Sequence, residues 1–259
     1  MSLLLALTLA ISWQDPGKAV PQDAAASKPA LAQPGEAAAR PVPDKEAKEV
    51  LARLDKGKLD KLSLAQKVEA IEQLGAISNK VLVKPLVELV KNEKTLTVRR
   101  TAVRSLARQP AAEARTAILG LLKQNQISDK PELAADLVTA LAGAGYTSAD
   151  WATIKRLFEQ EFGAEHTQLQ KAILGLVARH KEGQALELLV EHLDEPRPHD
   201  VDGAANPPAE YWERRWKAWR VWREDVKHAL FVITGQRFST GKEAKAWLNA
   251  NGKKLGWRN

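Results

Sequence analysis

A chain of 259 residues, 44% of them hydrophobic, is long enough to bury one sizeable core, with or without a tail. It has no cysteine, which excludes disulfides, thiolate catalysis, Cys-ligated zinc, iron–sulfur clusters and a lipidated N-terminal cysteine. The net charge of +7 is gathered modestly at the C-terminal end, with +5 over residues 195–259 and +2 over 44–194; signs mixed in this way describe a solvated helical surface rather than a phosphate-binding face.

Leu3 to Ile11 is a short apolar run. It falls well under the roughly 20 residues a membrane-spanning helix needs, and it suits the core of a secretory signal. Ala10-Ile11-Ser12 fits the small-x-small cleavage rule, so residues 1–12 are expected to be a signal peptide and the protein to be exported to the periplasm or beyond the cell. Only Met1 and Ser2 precede the run and neither side chain is cationic, so a cytoplasmic location is the alternative. Residues 13–43 are rich in Ala and Pro, with Pro16, Pro21, Pro29, Pro34, Pro41 and Pro43 spaced through them. Proline at such intervals forbids a continuous helix, and the segment is expected to be a disordered linker.

Residues 44–194 change to helical patterning with a measurable period. Val68, Val103, Val138 and Ile173 are each 35 residues apart, and so are Ile71, Leu106, Leu141 and Leu176. Apolar residues recur around them at i, i+3, i+4 and i+7, which sets them on one buried stripe. Between these helices lie second ones, expected at Val83–Lys91, Ala114–Lys123, Asp150–Phe162 and Gln184–Leu193. Ser63-x-x-Gln66, Asp129 with Pro131, Ser148 and Thr240-x-x-Glu243 are expected helix starts, and Gly75, Gly145 and Gly163 expected stops. A hairpin of about 35 residues cannot cover both of its own faces, but stacked neighbours can, so the fold class expected is all-α: an α-solenoid of about 4–5 hairpins closed by C-terminal capping helices.

The residues Val98-Arg99-Arg100-x-Ala102-x-x-Ser105-Leu106, with Pro85 in the preceding helix, resemble a HEAT repeat. The resemblance spans roughly residues 46–235 and implies fold more than activity. Later units keep the apolar frame but have Leu133-Ala134 and Gln168-Leu169 in place of Val-Arg, so armadillo-like and other two-helix repeats stay close neighbours. The C-terminal segment, with Ile233-Thr234-Gly235 and a helix bearing Trp247, is similar to the ending of some bacterial HEAT-repeat proteins.

A proline-rich loop at 195–210 leads into a C-terminal element, 211–259, whose long helix carries Trp212, Trp216, Trp219 and Trp222 within an arc of about 120°. That face can close the open end of the solenoid. With Arg214, Arg215, Arg220 and Arg223 beside it, the same face also suits glycans, extended peptides or single strands. No His-x-x-x-His, nucleotide loop or nucleophile elbow is present among residues that include His166, His180, His192, His199 and His228. His199, Asp200 and Asp202 fall short of a calcium loop, and neither metal nor cofactor is expected. Arg100, Arg104 and Arg108 form one stripe, but Ala135, Thr139 and Gly143 stand 35 residues later, so the stripe is expected to be solvated or paired with acids of a neighbouring helix.

The function expected is that of a non-enzymatic protein-binding or scaffold module of the cell envelope, with another protein or peptide as partner. The candidate binding residues are Arg100, Arg104, Arg108, Trp212, Arg215, Trp216 and Trp219. The alternative is a nucleic-acid-binding protein using a basic face, as HEAT-like DNA glycosylases do; HEAT-like lyases keep an enzymatic role open at the margin.

Overall fold

The computed structural model describes residues 38–52, 59, 61–198 and 206–257. The expected signal peptide, most of the expected linker, and His199, Asp200 and Asp202 lie outside the described residues. The architecture is all-α apart from one parallel ladder of two-residue strands, β1 (Arg40–Pro41) and β2 (Ile77–Ser78). The Arg40 and Val42 N–H groups donate to Ala76 and Ser78, Val42 is buried, and Asn79 Nδ2 donates to the Val42 carbonyl at 2.8 Å and to Asp44 Oδ1 at 3.0 Å. The last residues of the Ala/Pro-rich stretch are therefore tied to the helical body.

The helices follow as α1 (Asp44–Ala52), α2 (Leu64–Gly75), α3 (Val83–Asn92), α4 (Leu96–Ala107), α5 (Ala111–Leu122), the single turn α6 (Asn125–Ser128), α7 (Pro131–Gly143), α8 (Trp151–Glu159), α9 (Thr167–His180), α10 (Leu186–Glu191), α11 (Ala209–Thr234) and α12 (Gly241–Asn251). Several ends are set by local chemistry. Ser63 and Gln66 form a reciprocal capping box at α2, and Thr240 accepts from the Glu243 N–H at α12. Before α8, Thr147 and Asp150 make the box, one residue ahead of the expected Ser148. Pro131 opens α7 behind Lys130, while Asp129 closes α6. Gly235 ends α11 in the left-handed region at φ 72°, where glycine carries no Cβ penalty.

Helices α2, α4, α7 and α9 pack side by side in sequence, and α11 packs on α9; α3 lies against α4 and α5, and α5 against α7. A helix flanked on both sides must bury most of its circumference. In α4, Val98, Arg99, Thr101, Ala102, Val103, Ser105 and Leu106 are buried, and what stays outside is the ridge of Arg100 and Arg104. The 35-residue frame is reproduced in burial. Ile71, Leu106, Leu141 and Leu176 are all within 1% of complete burial, as are Val103, Val138 and Ile173, while Val68 on α2 is partly buried. Each such aliphatic side chain contributes about 1.5–3 kcal/mol relative to an exposed one.

Polar ties repeat at nearly the same separation. Ser105 Oγ donates to the Ile71 carbonyl at 2.9 Å, and Gln109 Nε2 donates to the Ile77 carbonyl at 3.1 Å while its Oε1 accepts from the Asn79 N–H at 3.1 Å. Arg100 Nε donates to Asp136 at 2.6 Å. Arg115 grips Asp150 through two bonds of 2.9 and 2.8 Å; burial raises the Asp150 pKa, but this grip and the Thr147 N–H outweigh it and hold the carboxyl below its usual range. Tyr146 donates to the buried Glu182 at 2.7 Å, and its own pKa is driven up by burial first and by that carboxylate second. Within the Val-Arg pair, Arg99 is buried and its Nε donates to the Val90 carbonyl at 2.6 Å, meeting an orphan acceptor at the C-terminal end of α3.

Helices α2 and α4 approach closely at Gly75, where a Cβ would stand 2.6 Å from Ser105 Oγ and 3.1 Å from Ser105 Cα. Gly175 in the middle of α9 is exposed with nothing within 4 Å of that position. Gly75→Ala is therefore expected to lower stability by about 1–3 kcal/mol, and Gly175→Ala to raise it by up to about 1 kcal/mol. Thermal or urea unfolding of the two variants checks this, and equal effects at both positions would contradict the α2–α4 contact.

Candidate functional site

Helix α11 is held to α9 by its C-terminal half, where Trp222, Val226, Ala229 and Leu230 are buried. Trp222 Nε1 donates to Gln170 Oε1 at 2.9 Å, and Gln170, itself fully buried, donates onward to the Phe158 and Glu161 carbonyls at the end of α8. The N-terminal half of α11 stands instead over the end of α10 and the residues after it. Between them is a cavity of about 350 Å³ walled by Phe162, His192, Tyr211, Trp212, Arg215, Trp219 and Trp222, with Glu191, Asp194, Glu195, Pro196 and Arg197 also lining it.

Most polar groups of this lining have partners. Trp219 Nε1 donates to the His192 carbonyl at 3.1 Å, Trp216 Nε1 donates to the Glu195 carboxylate, and Asp194 accepts from the Gly241 N–H at 2.9 Å, fastening the start of α12. Two donors have none: Trp212 Nε1 and Arg215 Nε are shielded from solvent without an acceptor. The Arg215 guanidinium lies 4.0 Å from the centre of the Phe162 ring and 5.5 Å from that of Tyr211, and its Nη1 donates to the Tyr211 hydroxyl at 3.0 Å. Among the described residues no carboxylate comes within ion-pair distance of it.

His192 forms the floor. Its ring centre is 5.2 Å from Phe158, 5.8 Å from Phe162 and 5.6 Å from Trp222. Burial pushes its pKa down to about 4, and the Arg215 and Lys155 cations push the same way, so the ring is neutral at neutral pH and the positive charge of the wall rests on Arg197 and Arg215. Among the described residues the lining holds no serine, threonine or cysteine. Flat aromatic walls, the Arg215 guanidinium and two unmet N–H donors can clasp an apolar group that carries acceptors.

The structure brings Trp212, Arg215 and Trp219 to this cavity and places Trp216 beside it through Glu195. The other three candidate residues sit elsewhere, on and just after α4: Arg100 pairs with Asp136 of α7, and Arg104 reaches Glu72 of α2 at 4.0 Å. Phe162, His192, Tyr211 and Arg197 are lining residues that the sequence does not single out. One signal was available, since His192 stands 35 residues after Leu157 and 70 after Leu122, both buried leucines.

Among the described residues, those able to hold a cation are Glu161, Glu165 and His166, whose ligand atoms lie within 4.8 Å of one another. Glu165 faces His166 Nδ1 at 3.4 Å and Glu161 faces Nε2 at 3.8 Å. The carboxylates stand on opposite sides of the ring, whereas a metal takes a single ring nitrogen.

Comparison of the chain with protein-family models, curated proteins and solved structures returned no match.

The neutral His192 gives a pH dependence of known sign. The unfolded ring takes a proton near 6.5 and the folded one only near 4. Between those values the unfolded state binds more protons, so stability falls as pH drops from 6.5 to about 4, by at most about 1.4 kcal/mol per pH unit, and no further below. His192→Leu, the frame residue, is expected to flatten this segment of the melting-temperature profile relative to the wild type. Identical profiles for the two chains would show that the ring is not held neutral.

Proposed function

We propose that the chain is a non-enzymatic binding module built as a solenoid of HEAT-like helical hairpins, which holds a segment of a partner protein in the cell envelope. The solenoid reading is supported by the equal burial of Ile71, Leu106, Leu141 and Leu176 and by polar ties that join residues about one period apart. The observation that carries the binding role is the aromatic cavity at the end of the array, with an unpaired Arg215 and two N–H donors lacking acceptors. Native structures seldom leave such groups unmet, and each is a place where a ligand atom gains a full hydrogen bond. A nucleic-acid partner would need an open basic face, and Arg100 and Arg104 already have acidic neighbours.

The test is capture by the immobilised chain from envelope extract of its own source, with a fold-checked Trp212→Ala, Arg215→Gln variant alongside. The wild type is expected to retain a polypeptide that the variant loses by at least tenfold. No retention by either chain, equal retention by both, or salt-released nucleic acid in place of protein would each overturn this function.

A further inference from the structure

We infer that the cavity recognises a carboxylate joined to an apolar group, and that its source is the C-terminal residue of a polypeptide carrying basic residues just upstream. This rests on the binding role proposed above and names its ligand.

The chemistry follows from what the wall lacks. Arg215 is half-buried, stacked on Phe162, and has no carboxylate within reach among the described residues. Its Nε–H has no acceptor, and neither has the indole N–H of Trp212 three residues earlier, on the same face of α11. Both residues line the same cavity, so one oxyanion entering it is the group that can answer both donors. A cation without a counter-ion in a partly dry site favours an anion over a neutral carbonyl. His192 does not compete for this role, because a neutral ring among Phe158, Phe162 and Trp222 offers surface rather than charge.

The number of charges separates a carboxylate from a phosphate. Among the described residues the lining holds two arginines, Arg197 and Arg215, against three carboxylates, Glu191, Asp194 and Glu195. A dianion would meet twice the repulsion from those acids that a single negative charge set against Arg215 meets. The same acids, Asp194 and Glu195 already fixed by Gly241 and Trp216, leave Glu191 exposed to receive a lysine or arginine that precedes the terminus. Volume agrees: about 350 Å³ between aromatic walls accepts one large apolar side chain with its carboxylate, and little more.

The experiment uses the full chain and the labelled peptide Lys-Lys-Ala-Phe, fluorescent at its N-terminus, with a free C-terminal carboxylate or a C-terminal amide, read by anisotropy. The free acid is expected to bind at least tenfold tighter than the amide and at least tenfold tighter than N-acetyl-phenylalanine measured as a competitor. Trp212→Phe, which keeps a smaller aromatic ring and deletes the N–H, is expected to weaken the free acid about fivefold to twentyfold and the amide by no more than about twofold. Arg215→Gln is expected to abolish the difference between acid and amide, while both variants melt close to the wild type. Equal binding of acid and amide overturns the carboxylate inference and leaves the binding role standing on extract capture. N-acetyl-phenylalanine as tight as the peptide overturns the polypeptide source, stronger competition by inorganic phosphate than by acetate overturns the choice of anion, and binding of none of these probes overturns the inference whole.

Discussion

A helix with neighbours on both flanks has to satisfy backbone groups as well as side chains, and that requirement organises the whole helical body. At the α2–α4 contact the backbones come close enough that only hydrogen fits at Gly75; Gln109 takes the Ile77 carbonyl beyond α2, and Ser105 adds a second bond to the Ile71 carbonyl. An unmet buried carbonyl costs about 1–3 kcal/mol, comparable to the burial of one leucine, so the polar ties decide register while the leucines supply the driving force. Arg115 with Asp150 and Tyr146 with Glu182 add side-chain ties at a similar separation along the chain.

The last flank of the helical body is covered by a helix of a different kind. Helix α11 runs 26 residues, roughly 39 Å at 1.5 Å per residue, over α9, which runs 14 residues or roughly 21 Å. Only the half bearing Trp222, Val226 and Leu230 finds a full partner. The other half meets the end of α10 and, through Arg215, the Phe162 ring, and the mismatch in length opens the cavity. Beyond it, α12 is fixed by its own contacts: Asp194 meets the Gly241 N–H, and Gly183 lies so near the Leu255 carbonyl that a Cβ would come within 2.4 Å.

Electrostatics in the cavity follow from this packing. His192 loses its charge because it is enclosed by three aromatic rings, and Arg215 keeps its charge because guanidinium is weakly hydrated and can lie flat on Phe162.

Sequence alone determined the period, since a 35-residue recurrence of Val103, Val138 and Ile173 follows from the geometry of helices that must bury one stripe. It also fixed the capping box at Ser63 and Gln66 and the cap at Thr240, which depend on residues a few positions apart. It placed Trp212, Trp216, Trp219 and Trp222 on one arc but gave no means of ranking them, because angle on a helix says nothing about what lies opposite. Tertiary structure decided that Trp222 is core and that Trp212 and Arg215 are wall, according to where α9 ends beneath α11. It also decided that Arg100 has Asp136 for a partner and Arg215 no acid, a difference between two exposed-looking arginines that arises only when a neighbouring helix does or does not bring a carboxylate within reach.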